Sequence, residues 1–305
     1  MMTTLIHVVV SCTERKSAPA LPSLRASELT RDGFDLRIAS WLERIGTATP
    51  TLRAADLYQG EHWAVTRDLI ADSRVKVWVA SAGYGLVDVQ TLVAPYAATF
   101  SSRQADSVTL ATSPTAVDSE RREWWRTLRE RSSRGSGRSM AALGADGPIL
   151  VAASRSYLAA MSDELVEAEA QSFGRLVLTT TGAVPGELRH LRTAATGALR
   201  GVLGGSMQAV SVRLAAKIVQ DIAESELTYE TASNLTERLM AGASPLERHS
   251  RSPLTDGQVS AYIANALNTA NPPSCTALLR IMRDAGLACE QARFRHLYLA
   301  TRGER

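Results

Sequence analysis

The residues Ser11-Cys12-Thr13-Glu14-Arg15-Lys16 follow a short apolar run and bring hydroxyls, a thiol, a carboxylate and an amine into one loop. A lysine in such a loop can hold a phosphate or, if desolvated, form a Schiff base with a carbonyl. Glu14 reads equally as a solvated charge or as a capping acid for the next element. A nucleophilic Cys12 would need a base beside it, and no imidazole is spaced for that role, so a small buried strand-end cysteine is the plainer reading. A second cluster, Asp56-Leu57-Tyr58 with Glu61, His62 and Trp63, groups carboxylates with aromatics. A pocket for a nucleobase needs aromatic faces for stacking and a carboxylate near the sugar or the base edge. The competing reading makes Asp56 a helix-capping acid ahead of core-facing aromatics, with His62 on the surface.

The third cluster is Ser81-Ala82-Gly83-Tyr84-Gly85-Leu86, with Pro95-Tyr96 and Asp106 following. Glycines at a strand end let backbone amides approach a ligand, and Tyr84 and Tyr96 would enter the same pocket. Gly83-Tyr84-Gly85 lacks the third glycine of the dinucleotide fingerprint, and no Walker loop is present. A nucleotide-cofactor enzyme is therefore disfavoured, and no cofactor is expected. The fourth cluster, Gly204-Gly205-Ser206-Met207-Gln208, opens a helical stretch that carries Arg213. It reads either as a phosphate cradle at a helix start or as a plain loop-to-helix junction.

Four apolar runs must position the first three clusters: Leu5–Val10, Val75–Ala80, Ile149–Ala153 and Leu176–Leu178. Continuous runs of this kind suit strands buried on both faces of a parallel sheet. Between them Phe34–Ile45, His62–Ala71, Ser119–Arg131 and Tyr157–Gln171 are amphipathic helices. The alternation predicts a three-layer α/β domain over residues 1–182, with ligands beyond the carboxyl ends of the strands. Ser132–Gly147 lacks apolar periodicity and reads as a flexible loop, with a mobile basic lid as the alternative. Met207–Glu224 and Thr228–Ala241 predict a helical extension over 183–251. Residues 252–305 predict three helices, Val259–Leu267 behind an N-capping Asp256, Ser274–Ala285 and Cys289–Thr301, with Gly286 as a C-terminal cap. The last two resemble a helix-turn-helix unit whose Arg280, Arg283, Arg293 and Arg295 would track phosphates.

The 305 residues carry a formal charge of only +3 and are 45% hydrophobic, which excludes wholesale disorder. No apolar run approaches the roughly 18–20 residues of a membrane span, so a soluble, cytoplasmic protein without a membrane partner is expected. Cys12, Cys275 and Cys289 are too few and scattered for a disulfide framework, and no Cys-x-x-Cys pair points to a metal. Of the 34 basic residues only Lys16, Lys76 and Lys217 are lysine, which leaves 31 arginines. That excess fits either nucleic-acid binding or the codon usage of a GC-rich genome.

Ser11-Cys12-x-x-x-Lys16, Leu57-Tyr58-x-Gly60, Ser81-Ala82-Gly83-Tyr84-Gly85-Leu86 and Pro95-Tyr96-x-x-Thr99-Phe100, taken in order, resemble the uracil-DNA-glycosylase-like superfamily. The base-processing domains of archaeosine-type tRNA enzymes are related to it. The resemblance covers roughly residues 5–180 and implies a uracil-DNA-glycosylase-like fold. Some defensive members, the Brig-type anti-phage DNA glycosylases, remove glucosylated hydroxymethylcytosine from phage DNA. The chain departs from uracil-DNA glycosylases by having Ser11-Cys12-Thr13-Glu14 where they carry a Gly-Gln-Asp-Pro-Tyr-type loop. Ala97 also follows the Pro-Tyr pair where relatives have an acid.

The resemblance implies a glycosylase that excises a modified base from foreign DNA and leaves an abasic site; a monofunctional enzyme is expected, because a lyase would need a well-placed amine and Lys16 is the only loop candidate. Asp56 is the first choice for the carboxylate that stabilises the electron-poor sugar, followed by Asp106 and Glu14. Ser11, Cys12, Tyr58, Trp63, Gly83, Tyr84 and Tyr96 would form the base pocket. Lys16, Gly204, Gly205, Ser206, Gln208, Arg213, Arg280 and Arg293 would contact DNA. The alternatives are a base-exchange transglycosylase acting on deazaguanine-type bases and a non-catalytic DNA-binding regulator.

Overall fold

The computed structural model describes residues 5–132, 137–222, 227–245 and 251–303. They form two compact units, Met1–Ser244 and Pro245–Arg305. In the first unit the four apolar runs become parallel strands β1 (Ile6–Ser11), β2 (Val75–Ser81), β4 (Ile149–Ala152) and β5 (Leu176–Leu178). Gly85–Asp88 adds β3, antiparallel to β2, and the sheet order is β3-β2-β1-β4-β5. Val8, Val9 and Val10 of the central strand are fully buried, as a strand covered on both faces requires. β3 escapes the sequence pattern because its first residue belongs to the glycine cluster, which reads as a loop.

The flanking helices are α1 (Phe34–Thr47), α2 (Glu61–Ala71), α3 (Pro114–Arg131), α4 (Met140–Asp146), α5 (Arg155–Ala160), α6 (Ser162–Ser172), α7 (Val210–Asp221) and α8 (Tyr229–Ala241). α2 packs with α7, while α1 and α5 pack with α3. Three expectations need correction. Tyr157–Gln171 is two helices, broken at Met161. The stretch read as a flexible loop or lid contains α4, capped by Ser139, whose hydroxyl accepts from the Ala142 amide; residues 133–136 lie outside the described residues. Residues 183–244 are not a separate extension either. Leu199, Val210, Leu214, Ile218 and Leu235 share one continuous core with the sheet.

The second unit contains α9 (Asp256–Leu267), α10 (Cys275–Asp284) and α11 (Gln291–Gly303) around Val259, Leu278, Met282 and Phe294. Thr255, rather than Asp256, caps α9, in a reciprocal box with Gln258. Gly286 follows α10 with φ +76°, the left-handed cap conformation expected of it.

His7 lies inside the sheet, where its Nδ1 accepts from the indole N–H of Trp78 at 3.1 Å. Burial lowers its pKa to about 4, and burial lowers that of His62 to the same value. Both pKa values fall below the unfolded value near 6.5, so the unfolded chain binds more protons between the two. Stability is therefore full above about pH 6.5 and is lost as the pH falls toward 4, by up to about 3 kcal/mol for His7. Thermal unfolding followed at stepped pH should show the melting temperature dropping across that window. A constant value from pH 7 to 4 would contradict the assignment of buried, neutral imidazoles.

Candidate active site

The strand order reverses beside β1, between its links to β2 and β4, and the carboxyl ends of the strands open there onto a crevice. Two loops build a pocket at the end of β1. The loop after β1 is zipped to residues 57–59 by Ser17 N–H to Leu57 C=O and Gln59 N–H to Arg15 C=O. The loop 97–108 is tied to residues 24–26 by Ala26 N–H to Ala97 C=O and Ala97 N–H to Leu24 C=O. Between them lies a pocket of about 150 Å³ lined by Cys12, Thr13, Glu14, Lys16, Thr99, Gln104, Asp106 and Tyr157, with alanines 97, 98 and 105. A cavity of about that volume suffices for one benzene-sized ring.

Beneath the pocket is a layer of buried hydroxyls. Cys12 Sγ is 3.0 Å from the Tyr157 hydroxyl. The Tyr58 and Tyr96 hydroxyls are 3.0 Å apart, and Tyr96 reaches Ser81 Oγ at 2.7 Å. Burial raises the pKa of all three phenols, so they stay neutral and act as hydrogen-bonding groups. Above this layer, Lys16 Nζ sits 4.5 Å from the centre of the Tyr96 ring and donates to the Thr13 carbonyl at 3.1 Å. Burial lowers its pKa. Asp106 is held in place: its Oδ1 accepts from the Ser27 amide at 3.1 Å and the Ser27 hydroxyl at 2.7 Å, with Arg25 at 3.9 Å from Oδ2.

The carboxylates therefore rank differently from the sequence expectation. Asp56 is in the first turn of the short helix Ala54–Leu57, half exposed and bonded to Arg53 Nε at 2.7 Å. It does not line the pocket, and it does not cap the helix either: the N-cap is Arg53, without a side-chain cap bond, and Asp56 pairs with that arginine. Asp106 and Glu14 do line it, Asp106 partly buried and Glu14 exposed. The aromatics also change. Trp63 is fully buried against Tyr58 and donates to the Ala55 carbonyl, so neither offers a free face. Tyr84 is a core residue whose hydroxyl bonds both the amide and the carbonyl of Ala94. Gly83 serves packing rather than ligand approach, since a Cβ there would lie 2.6 Å from the Tyr96 ring. The aromatic that reaches the pocket is Tyr157, from α5.

The supposed phosphate cradle is already filled from within. The Ser206 amide donates to both Glu61 carboxylate oxygens at 3.1 and 3.0 Å, and Arg213 Nη2 donates to Glu61 at 2.9 Å. Hydrogen bonds from Ser206, and then from Arg213, hold Glu61 below its ordinary pKa. α7 begins only at Val210, so Gly204, Gly205 and Ser206 form a loop rather than a helix start. Gly205 has φ +78°, and a Cβ there would fall 2.0 Å from Glu61 Oε1, whereas Gly204 with φ +71° faces open space. Gly205→Ala should cost about 2 kcal/mol in urea unfolding and Gly204→Ala about 1 kcal/mol. Equal effects would show that the Glu61 clasp does not constrain the loop.

Beside this clasp, Gln208 and His62 border two further hollows, of about 430 and 180 Å³. The first shares Thr13 and Glu14 with the pocket beside Lys16, and the second reaches Ser11, Ser154 and Thr180. His62 is not a surface histidine, because its Nε2 is shut away from water without a hydrogen-bond partner. In the second unit, Arg293 is bound to Asp256 at 2.6 Å and to the Leu254 carbonyl, and Arg283 to the Cys289 carbonyl. Arg280 and Arg295 are exposed. Among the described residues, no group of three or more His, Cys, Asp or Glu side chains could hold a metal ion, and no helix is long and apolar enough to cross a membrane.

No family model, curated protein or solved structure matches this chain. The functional reading rests on the residues and their geometry. Tyr157 could have been found in the sequence as the first aromatic after the third apolar run. Arg37, whose buried guanidinium on α1 bonds carbonyls of the loops at 26–30 and 107–108, gave no signal: it is one of 31 arginines in the chain.

Proposed function

We propose that the protein is a DNA glycosylase of the uracil-DNA-glycosylase-like kind, which excises a modified base from foreign DNA. The observation that carries this reading is the one-ring pocket at the end of β1, where a held carboxylate, an amine, hydroxyls and Tyr157 converge. A base swung out of the duplex would enter between the loops and meet Tyr157, with Thr99 and Gln104 able to bond its edge. As the glycosidic bond breaks, the sugar becomes electron-poor, and Asp106 would stabilise it or orient the attacking water. Tyr157, the phenol that lines the pocket, stays neutral and would donate to a departing oxygen or nitrogen, while the buried Tyr58 and Tyr96 hydroxyls close the floor beneath. Phage DNA as substrate, with glucosylated hydroxymethylcytosine as one candidate base, follows from the resemblance of the four loop motifs, and the role proposed is antiviral defence.

The test is incubation of the purified protein with modified and unmodified phage DNA, followed by mass spectrometry of released bases and alkaline cleavage at abasic sites. Release of a free modified base supports the proposal. No released base from any modified DNA would remove it, and salt-sensitive binding without turnover would favour a regulator. Incorporation of a labelled free base would favour exchange.

A further inference from the structure

Lys16 stands apart from the other two lysines of the chain. Lys76 pairs with Asp88 at 3.1 Å and Lys217 with Asp221 at 2.8 Å. Lys16 lines the pocket, and among the described residues no carboxylate lies within ion-pairing distance of it; its Nζ hydrogen bonds go to the Thr13 and Glu14 carbonyls. An amine enclosed in a one-ring cavity, with one face over Tyr96 and a carboxylate on the same cavity wall, is placed to react with a carbonyl rather than to neutralise an acid.

We infer that Lys16 forms an imine with the aldehyde of an abasic deoxyribose and gives the protein a strand-cleaving lyase activity. The inference rests on the glycosylase reading for the origin of that aldehyde, and it replaces the monofunctional expectation. In the first step the Lys16 nitrogen attacks C1′ of the ring-opened sugar, the C–O π bond breaks, and loss of one water leaves the C=N bond. In the second, a carboxylate on the pocket wall, Asp106 by position, takes a C2′ proton. The electron pair forms the C2′–C3′ double bond and the C3′–O bond breaks, releasing the 3′ phosphate. Water then adds to the imine, returning the free amine and an unsaturated aldehyde, so nothing is oxidised or reduced overall. Burial supports the first step, since it lowers the pKa of Lys16 and leaves more of the amine unprotonated.

The experiment uses the full chain and an oligonucleotide in which a single abasic site has been made beforehand, with borohydride to reduce any imine to a stable amine. A covalent protein–DNA adduct is expected, with the sugar remnant on the peptide that contains Lys16, together with strand nicking when borohydride is omitted. Lys16→Gln and Lys16→Arg should abolish both while keeping the wild-type melting temperature, and Lys76→Arg and Lys217→Arg should retain both. No adduct, or an adduct that survives in both Lys16 variants, overturns the inference. Because the abasic site is supplied, the two readings fail separately. Base release without an adduct removes only the lyase, whereas an adduct without base release from any modified DNA removes only the glycosylase.

Discussion

Asp106→Asn is expected to lower base release from modified DNA about 100-fold or more, with DNA binding largely unchanged. The substitution is nearly isosteric. The retained oxygen can still accept from the Ser27 amide and hydroxyl, so the loop geometry should persist and only the charge is lost. A carboxylate facing a developing oxocarbenium ion acts in a partly enclosed site, where removing one such electrostatic group costs about 10²–10³ in rate. Asp56→Asn is the matched control. That side chain bonds Arg53 in solvent and should change turnover by less than about twofold, as surface substitutions do. Single-turnover base release compared across the two variants separates the assignments. Full activity in Asp106→Asn would shift the role to Glu14, the other carboxylate on the pocket.

The reordering of these acids shows where the sequence stops being informative. The four parallel strands were legible because both faces of each are buried, so apolar residues run without alternation. From those strands, the location of the crevice followed. The loop after β1 was legible too, and Cys12, Lys16 and Glu14 all reach the pocket. Which aromatic lines the pocket was not legible, because Tyr58, Tyr84 and Tyr96 sit in loops whose register depends on hydrogen bonds between segments far apart in the chain, and Trp63 in the first turn of α2 turns inward against Tyr58. Tyr96, for example, is fixed by Ser81 and Tyr58, fifteen and 38 residues away. The Gly204-Gly205-Ser206 loop misled for a related reason. Its composition suits an anion, and the structure supplies one, but the anion is Glu61, 145 residues earlier. The helical segment 183–244 carries amphipathic stripes that do not say which core they cover; that core proved to be the sheet itself.

The largest effect on stability is expected from Arg37, a residue to which no sequence pattern drew attention. Its side chain lies buried within α1, and all five of its hydrogen bonds go to backbone carbonyls. Nε donates to Val108 at 3.1 Å, Nη1 to Leu29 and Thr30 at 3.1 and 3.0 Å, and Nη2 to Ala26 and Ser107, both at 2.7 Å. One guanidinium thus closes the valences of two loops, 26–30 and 107–108, that have no regular ladder of their own. Arg37→Met keeps the volume of the stem but removes all five bonds, with the Ala26 carbonyl keeping the Leu29 amide at 3.2 Å, and it should lower the unfolding free energy of the first unit by about 3–5 kcal/mol. Arg37→Lys should recover only part of this, since an ammonium has three donors and no planar fork. Both loops also border Asp106: Ser27, its partner, lies in the first, and Ser107 follows it in the second. Base release by Arg37→Met should therefore fall at temperatures where circular dichroism still reports a folded chain. If urea unfolding moves by less than about 1 kcal/mol, the five bonds do not carry the loops, and the order of the pocket wall must come from the strand-like pairing of residues 97–99 alone.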